Sequence, residues 1–170
     1  MFLVSYVMFL FLWIQLKDSY GTAITVTASK LLTLVKNVDY EENTISGDTV
    51  EATFTPLARR EMLIDIPVRT SSYTFNAPLT FSFMAALFLF ISRRRRAYAE
   101  AVLILIGVHL LYVFSLELKT LTEVLIQNGI GKESAPQLFF GQFLWSFTDN
   151  MVIRFEPFLI GFYMFLRFGR

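Results

Sequence analysis

The sequence predicts an α-helical integral membrane protein with about four transmembrane helices and a small extracytoplasmic antiparallel β-sheet. Hydrophobic residues make up 55% of the 170 residues, which is more than a soluble domain of this size carries. Four apolar runs have the character of membrane spans. One acidic segment between the first and second runs instead carries the turn signals and β-branched residues typical of strands.

The central pair of spans forms a hairpin. Residues 78–91 and 101–116 are apolar on all faces. With their ends counted generously, as residues 74–93 and 97–118, each supplies roughly the 20 residues that a helix needs to cross about 30 Å of hydrocarbon. The link between them carries four consecutive arginines, Arg93, Arg94, Arg95 and Arg96. Short loops dense in arginine stay in the cytoplasm, so we expect this link on the cytoplasmic side.

The first apolar run, residues 1–16, has no charged side chain before Lys17. A signal peptide is the alternative, but the run lacks a basic start and a clear small-residue cleavage site, so we expect an uncleaved span. Residues 20–35 repeat apolar side chains at roughly helical spacing, which favours an amphipathic extension of this helix. The β-branched stretch TAITVT within them favours a strand instead.

These patterns divide the chain into four segments. Residues 1–36 form the first span and its extension, and residues 37–75 form the β-rich segment. Residues 76–128 form the hairpin, whose second helix protrudes past the lipid as an amphipathic tail. Residues 129–170 form a turn, an interfacial helix and the last span, which we expect to be separated by a bend near Asn150.

The β-rich segment contains three strand candidates, NVDYEENTI, TVEATFT and EMLIDIPV, and the turn signal Ser46-Gly47-Asp48 separates the first two. They predict a sheet of about three or four strands. Such a sheet is too small for a core of its own, so it should rest on the helix extension or on the membrane surface. Its carboxylates lack the spacing of a calcium loop and favour a solvated face.

The chain has no cysteine and a single histidine, His109. These counts exclude a disulfide, a thiolate metal site and a cysteine nucleophile, and they leave any Ser-His-Asp relay dependent on His109. No glycine-rich phosphate loop or zinc motif is present. An arginine tetrad between two apolar runs is a topology signal and not a nucleic-acid patch. We therefore expect no enzymatic activity, no cofactor and no nucleic-acid partner.

The last apolar run is polar in its middle. Charged groups near hydrocarbon are costly, so Asp149, Arg154 and Glu156 are candidates for a polar cluster that docks a partner's helix or a transported group. The alternative is that they lie at the extracytoplasmic interface, where snorkelling makes their cost small. Arg154 is spaced to pair with Asn150 one turn back. Pro157 frees a backbone group beside Glu156, and this group needs a partner.

His109 lies midway along the third span. A proton relay would need carboxylates at the same depth, and this span offers only Glu100 and Glu117, each about 12 to 14 Å away along the axis. We therefore expect a hydrogen bond to a neighbouring helix, at Ser82 or Gln142. A small transporter or channel subunit that uses His109 and the polar residues of the last span is the alternative function.

Three stretches resemble the small membrane proteins associated with exosortase H, which accompany that membrane-embedded protein-sorting enzyme in Gram-negative bacteria. They are the polar segment that runs into Phe75-Asn76-Ala77-Pro78, the long third span with its tail, and the final segment FFGQFLWSFTDNMVIRFEPFLIGFYMF. In the final segment, Gln142 stands among aromatic residues and Pro157 precedes the last apolar run. The resemblance implies an accessory role. Exosortases use Cys, Arg and His, and this chain has no Cys.

The sequence and the resemblance together predict a non-enzymatic accessory subunit of a membrane-embedded protein-sorting or surface-assembly complex. We expect four spans in the bacterial inner membrane, with both termini in the cytoplasm. The expected partners are the lipid bilayer and an exosortase-like enzyme. The candidate partner-binding residues are Asn76, Gln142, Asp149, Arg154 and Glu156.

Overall fold

The computed structural model describes residues 2–91, 94–131 and 134–169. The chain is mostly helical and carries one small sheet. Its helices and strands, in chain order, are α1 (Phe2–Thr33), β1 (Val38–Ser46), β2 (Thr49–Pro56), β3 (Ile64–Arg69), α2 (Ser71–Thr74), α3 (Ala77–Ala86), α4 (Arg94–Gln127), α5 (Ala135–Phe147) and α6 (Arg154–Phe168). A 3₁₀ turn, Leu87–Leu89, follows α3, and π turns, Thr148–Ile153, join α5 to α6.

Helix α1 continues past Lys17 without interruption, which confirms the helical extension and rules out a strand over residues 20–35. Its first half is largely exposed and apolar, with Leu3 and Val4 about three-quarters accessible. Its second half buries Ile24, Ala28 and Leu32. These three residues recur every four positions, so their burial on one face outweighs the strand propensity of the β-branched residues between them.

The sheet has three antiparallel strands in the order β1-β2-β3, as the sequence predicted. Gly47 has a φ of +59° in the turn between β1 and β2, a conformation that glycine adopts at little cost. Strand β2 is central, and its Ala52 and Phe54 pair with Ile66 and Ile64 of β3. All four of these side chains are buried, so one face of the sheet is apolar and needs a cover.

The protruding end of α4 covers this face. Leu118, Leu121 and Leu125 form one apolar cluster with Phe54 and Ile66 of the sheet. These leucines lie on one stripe of α4, at intervals of three and four residues. The predicted amphipathic tail of α4 therefore supports the sheet, which was not expected. Leu32 of the α1 extension, one of the two supports expected, belongs to the same cluster.

The turn after β1 also ties the sheet to α1. Asp48 accepts hydrogen bonds from the hydroxyl and the backbone N–H of Ser71, and Lys17 Nζ lies 3.1 Å from its Oδ1. Burial acts to raise the pKa of Asp48, but the hydrogen bonds from Ser71 and Lys17 outweigh it and leave this pKa below its usual value. Nearby, the backbone of Gly21 approaches the Thr70 side chain so closely that a Cβ would collide with it.

The helix at the position of the expected second span is shorter than predicted. In place of a single helix over residues 74–93, the structure has α3 and its 3₁₀ turn, which together rise about 21 Å. The helix begins at Ala77 because Pro78, which lacks an N–H, is tolerated only in a first turn. Arg93 lies outside the described residues, and Arg95 and Arg96 belong to the first turn of α4.

The last segment is also arranged differently from the expectation. Helix α5 begins with a capping box between Ser134 and Gln137 and continues through the π turns into α6. It packs along α4, with Gly141 against the backbone of Lys119 and with Lys119 Nζ 4.2 Å from the centre of the Trp145 ring. The π turns stand where we expected the bend.

Among the described residues, two helices are long and apolar enough to cross a membrane. They are α1, over Phe2–Thr33, and α4, over Arg95–Gln127. Helices α3 and α6 are shorter and pack against these two, with Met84, Leu105, Ile160 and Met164 in one buried cluster. The result is a helical layer with the three-stranded sheet at one end.

Candidate functional site

A histidine and a carboxylate meet in the middle of the helical layer. His109 of α4 and Glu156 of α6 are both fully buried, and their Nε2 and Oε2 atoms are 3.0 Å apart. A buried charged group is costly unless it is paired and hydrogen-bonded, so this contact requires a supporting network. Neither side chain is open to solvent.

Two hydroxyl groups complete the network. The Tyr20 hydroxyl of α1 lies 2.8 Å from His109 Nδ1, and the Thr80 hydroxyl of α3 donates to Glu156 Oε1 at 3.1 Å. The Tyr20 and Tyr73 rings also contact the imidazole edge to face. Four helices are therefore joined through one chain of polar contacts, which fixes their relative positions where apolar packing alone is less specific.

Asn76 supports the same region from a different direction. Its Nδ2 donates to the backbone carbonyl of Ile153 at 2.6 Å, and the Asn76 side chain is buried. Pro157 has no N–H to give to this carbonyl, which lies four residues before it. Asn76 therefore replaces the helix hydrogen bond that the proline removes.

The π turns lie directly before Pro157. A proline within a helix displaces the turn that precedes it, and single π turns occur frequently at functional sites. A π turn closes between residues five apart, so Asp149 and Arg154 stand one turn apart on one side of the helix. In an α-helix the same two residues would point about 140° away from each other.

Asp149 and Arg154 line one cleft of about 550 Å³. Its other lining residues are Ser72, Phe75, Tyr112 and Ile153. Arg154 is exposed and Asp149 is half-buried. Within the described part of the chain, neither has an ion-pair or side-chain hydrogen-bond partner. The cleft therefore offers one cation and one anion to a ligand. Ile153, which also lines the cleft, is held in place by the hydrogen bond from Asn76.

Gln142 lies apart from this cleft. It is exposed on α5, and its Nε2 donates to Glu123 of α4 at 3.1 Å. The structure thus separates the five candidate residues into three groups. Asn76 and Glu156 are buried supports, Asp149 and Arg154 line the cleft, and Gln142 joins two helices near the sheet.

Comparison with known proteins gives one result. A family model described as exosortase H-associated membrane protein matches residues 1–168. The chain belongs to this family. No curated protein and no solved structure matches the chain. The family's description links its members to exosortase H and to a membrane, which agrees with the two candidate spans.

Two of the stretches that resemble the exosortase H-associated family meet in the structure. Asn76 comes from the first of them, and Ile153 and Pro157 come from the last. The Asn76 to Ile153 hydrogen bond therefore joins segments that are almost 80 positions apart in the sequence. Pro157 in the last apolar run leaves the Ile153 carbonyl without a helix hydrogen bond, and Asn76, just before the second apolar run, supplies the donor. This contact is a physical reason for the two residues to occur together.

Some of the expected side-chain contacts are wrong. His109 forms a hydrogen bond with Tyr20 and contacts Glu156, and it does not bond to Ser82 or Gln142. Ser82 instead donates to the Pro78 carbonyl within its own helix. Asn150 donates to the carbonyl of Ser146, one turn before it, and not to Arg154.

The sequence analysis did not predict that two carboxylates, Glu117 and Glu156, are buried and join helices. Glu156 is in line with the buried Ile160 and Met164, and Glu117 is in line with the buried Leu121 and Leu125. This spacing of four residues could have placed both carboxylates on buried faces. The Glu117 carboxylate accepts a hydrogen bond of 2.7 Å from Ser29, which joins α1 to α4 next to the sheet.

A third polar cluster lies at the end of the molecule that carries the arginines. Glu100 of α4 accepts a hydrogen bond from the Tyr163 hydroxyl and lies within 3.1 Å of both Arg96 and Arg167. The last turn of α6 and the first turns of α4 are therefore at the same end of the helical layer.

Proposed function

We propose that the protein is a non-enzymatic accessory subunit that binds an exosortase-type enzyme within the bacterial inner membrane. The exposed aromatic face of α5 and α6, considered with the family match, supports this proposal best. Eight side chains form this face, and each is between 48% and 71% exposed. They are Phe139, Phe143, Phe147, Met151, Phe155, Phe158, Phe162 and Phe165.

The length of this aromatic face supports a protein partner. Its residues recur every three or four positions and extend about 39 Å along the helix axis, which is longer than about 30 Å of hydrocarbon. The exposed Arg154 marks a boundary of the apolar layer on the same helix, because a charge deep in lipid is costly. Phe139 lies about 22 Å beyond Arg154 along the axis, so lipid tails do not reach it.

A large apolar patch outside the lipid is typical of a protein interface. Phe and Met are also enriched in protein interfaces relative to the rest of the surface. We infer that the enzyme packs a helix along this face, both within the membrane and beyond it. Asn76 and Glu156 do not contact the partner in this proposal. They hold α6 and the π turns in place from the buried side of the helix.

The proposed topology follows from the two ends of the helical layer. The ring of Phe2 lies 5.3 Å from that of Phe83, and Arg96 and Arg167 share Glu100, so both termini lie at the arginine-bearing end. The positive-inside rule places this end in the cytoplasm. We propose four crossings, by α1, α3, α4 and α6, with the sheet on the extracytoplasmic side.

Co-purification from native membranes tests the proposal. We expect an exosortase to accompany the tagged protein in mild detergent. The double variant Phe139→Ala/Phe143→Ala should lower its recovery roughly tenfold, which corresponds to a loss of about 1.4 kcal/mol of binding free energy shared between the two truncated side chains. The matched control is Val4→Ala/Met8→Ala, which changes exposed apolar residues of α1 and should leave recovery unchanged. Recovery of the protein alone would contradict the proposal.

Co-purification combined with an uptake assay in proteoliposomes addresses the transporter alternative. That alternative depends on His109, which is fully buried, and nothing in the described part of the chain favours it. An accessory subunit should keep its partner when His109 is changed to a residue that preserves the fold. Loss of solute uptake by proteoliposomes, with partner binding intact, would instead indicate transport.

A further inference from the structure

We propose that the cleft between α2, α4 and the π turns binds the headgroup of a phosphatidylethanolamine lipid. The phosphate would accept hydrogen bonds from Arg154, and the ammonium would donate to Asp149. This binding site does not depend on the partner enzyme.

The first argument is the charge pattern. Arg154 presents a guanidinium, which binds phosphate oxygens through paired N–H donors. Asp149 presents a carboxylate that can accept only from a donor or a cation. The π turns place the two groups one turn apart in the same cleft. A ligand that satisfies both must carry a negative and a positive group a few bonds apart.

The second argument is the depth of the cleft. Lys17 lies about 22 Å along α1 from Phe2, and Arg154 lies about 20 Å along α6 from Arg167. Both distances lead from the arginine-bearing end to the first charged residue that is not fully buried, since Glu156 lies between Arg154 and Arg167 but is 1% exposed. Because a charge that faces lipid tails is costly, the cleft stands at the edge of the apolar layer, which is the level of lipid headgroups.

The third argument is the lining. The Ser72 and Tyr112 hydroxyl groups hydrogen-bond to each other, which leaves one O–H of the pair to donate to a phosphate oxygen. Phe75 and Ile153 provide an apolar surface. Phe75 is 55% exposed, so a lipid's glycerol backbone and first methylenes can lie against it. The volume of about 550 Å³ lies within the range of small-molecule sites.

This pattern selects among common phospholipids. Phosphatidylcholine has a fully methylated ammonium without an N–H donor for Asp149. Phosphatidylglycerol has a phosphate for Arg154 but no cation, so the Asp149 carboxylate repels it. Only the ethanolamine headgroup of the three offers both a phosphate and an N–H cation.

Native mass spectrometry of the full-length protein tests this binding. The protein is released from nanodiscs that contain equal amounts of phosphatidylethanolamine, phosphatidylcholine and phosphatidylglycerol. We expect the retained lipid to be phosphatidylethanolamine by roughly tenfold, since a hydrogen bond to a charged group commonly contributes that much. Equal retention of the three lipids would overturn the proposal.

Two variants separate the roles of the charges. Asp149→Asn should shift retention from phosphatidylethanolamine towards phosphatidylglycerol, because the repulsion is gone and the phosphate contact remains. Arg154→Gln should lower retention of all three lipids. Asn150→Ala, at an exposed neighbour that does not line the cleft, is the control and should keep the original preference.

A shift in lipid preference cannot arise from simple unfolding, which would lower retention without changing its selectivity. Unchanged lipid preference in Asp149→Asn would overturn the proposal. So would loss of the partner enzyme in both charge variants with lipid retention unchanged, because the cleft would then hold a peptide of the partner.

Discussion

Glu156 joins three helices through one carboxylate, which contacts His109 on α4 and Thr80 on α3. We expect Glu156→Ala to lower the free energy of unfolding by about 3 kcal/mol, because it leaves two buried polar groups without their partner. Glu156→Gln should cost less, since its amide oxygen still accepts from Thr80. Thermal unfolding in detergent measures both. Glu61→Ala, at an exposed loop position, is the control, and an equal loss in this variant would contradict the role of Glu156.

Asn76 and Pro157 should be energetically coupled. Asn76→Ala leaves the buried Ile153 carbonyl without its side-chain donor and should cost about 1 to 3 kcal/mol. Pro157→Ala restores a backbone N–H four residues after Ile153. The cost of Asn76→Ala should therefore be smaller in the Pro157→Ala background. A double-mutant cycle by chemical denaturation measures this, and additive costs would show that Asn76 does not replace the missing hydrogen bond.

At this scale the sequence drew attention to polar residues of the last run but did not predict their contacts. Pro157 indicated a backbone group in need of a partner, and Asp149, Arg154 and Glu156 were identified as unusual, of which only Glu156 is buried. The donor, Asn76, lies on another helix, and only tertiary packing decides which helices are neighbours. For the same reason the Tyr20 and Glu156 partners of His109 could not be derived from spacing within its own helix.

At the scale of elements, the Asp48 turn holds the sheet against α1. The folded-state pKa of Asp48 lies below its unfolded value, so its stabilising contribution is present above the unfolded pKa. That contribution is lost as the pH falls through the folded pKa. We expect acid to lower the melting temperature of the native protein more than that of Asp48→Asn. Melting curves at pH 7 and pH 3 measure this difference, and equal acid sensitivity would contradict the role of this carboxylate.

Two glycines provide a matched test of the approach of α1 to α2. Gly21→Ala should be destabilising, because its Cβ would collide with the buried Thr70 side chain. Gly107→Ala, in the exposed face of α4, meets no atom within 4 Å and should be neutral or slightly stabilising. Thermal unfolding compares the two variants. Equal melting temperatures would show that α1 and α2 are not in close contact.

The sequence predicted most elements, because helical periodicity, turn residues and strand propensity agree over residues 37–69 and over α4. The prediction of helix boundaries from hydropathy failed where a proline changed the local backbone. Pro78 set a later start for α3 than hydropathy alone suggests, and Pro157 placed π turns where a bend was expected. Periodicity does not distinguish an interfacial helix from one that packs along a neighbour, so the contact between Gly141 and Lys119 had no signal in the sequence.

For the whole molecule, the absence of cysteine from the sequence makes the proposed topology directly testable. We expect Ser46→Cys, in the exposed turn of the sheet, to react with a membrane-impermeant maleimide added to intact spheroplasts. Arg95→Cys, at the other end, should react only after the membrane is permeabilised. Labelling of both variants in intact spheroplasts, or the opposite pattern, would contradict cytoplasmic termini and an extracytoplasmic sheet.

The whole molecule combines a rigid interior with an apolar exterior. Polar contacts among buried residues fix four helices, and the aromatic face of α5 and α6 is left for lipid and a partner. The family description links the chain to exosortase H, and the exposed aromatic face is the surface that we propose for such a partner.

Photocrosslinking in native membranes tests this claim most directly. A benzoylphenylalanine at Phe143, on the aromatic face beyond the lipid, should form an adduct with the exosortase. The same probe at Leu34, which is 81% exposed at the end of α1 nearest the sheet, should not. Equal adducts from both positions, or adducts only between copies of this protein, would contradict the proposed interface.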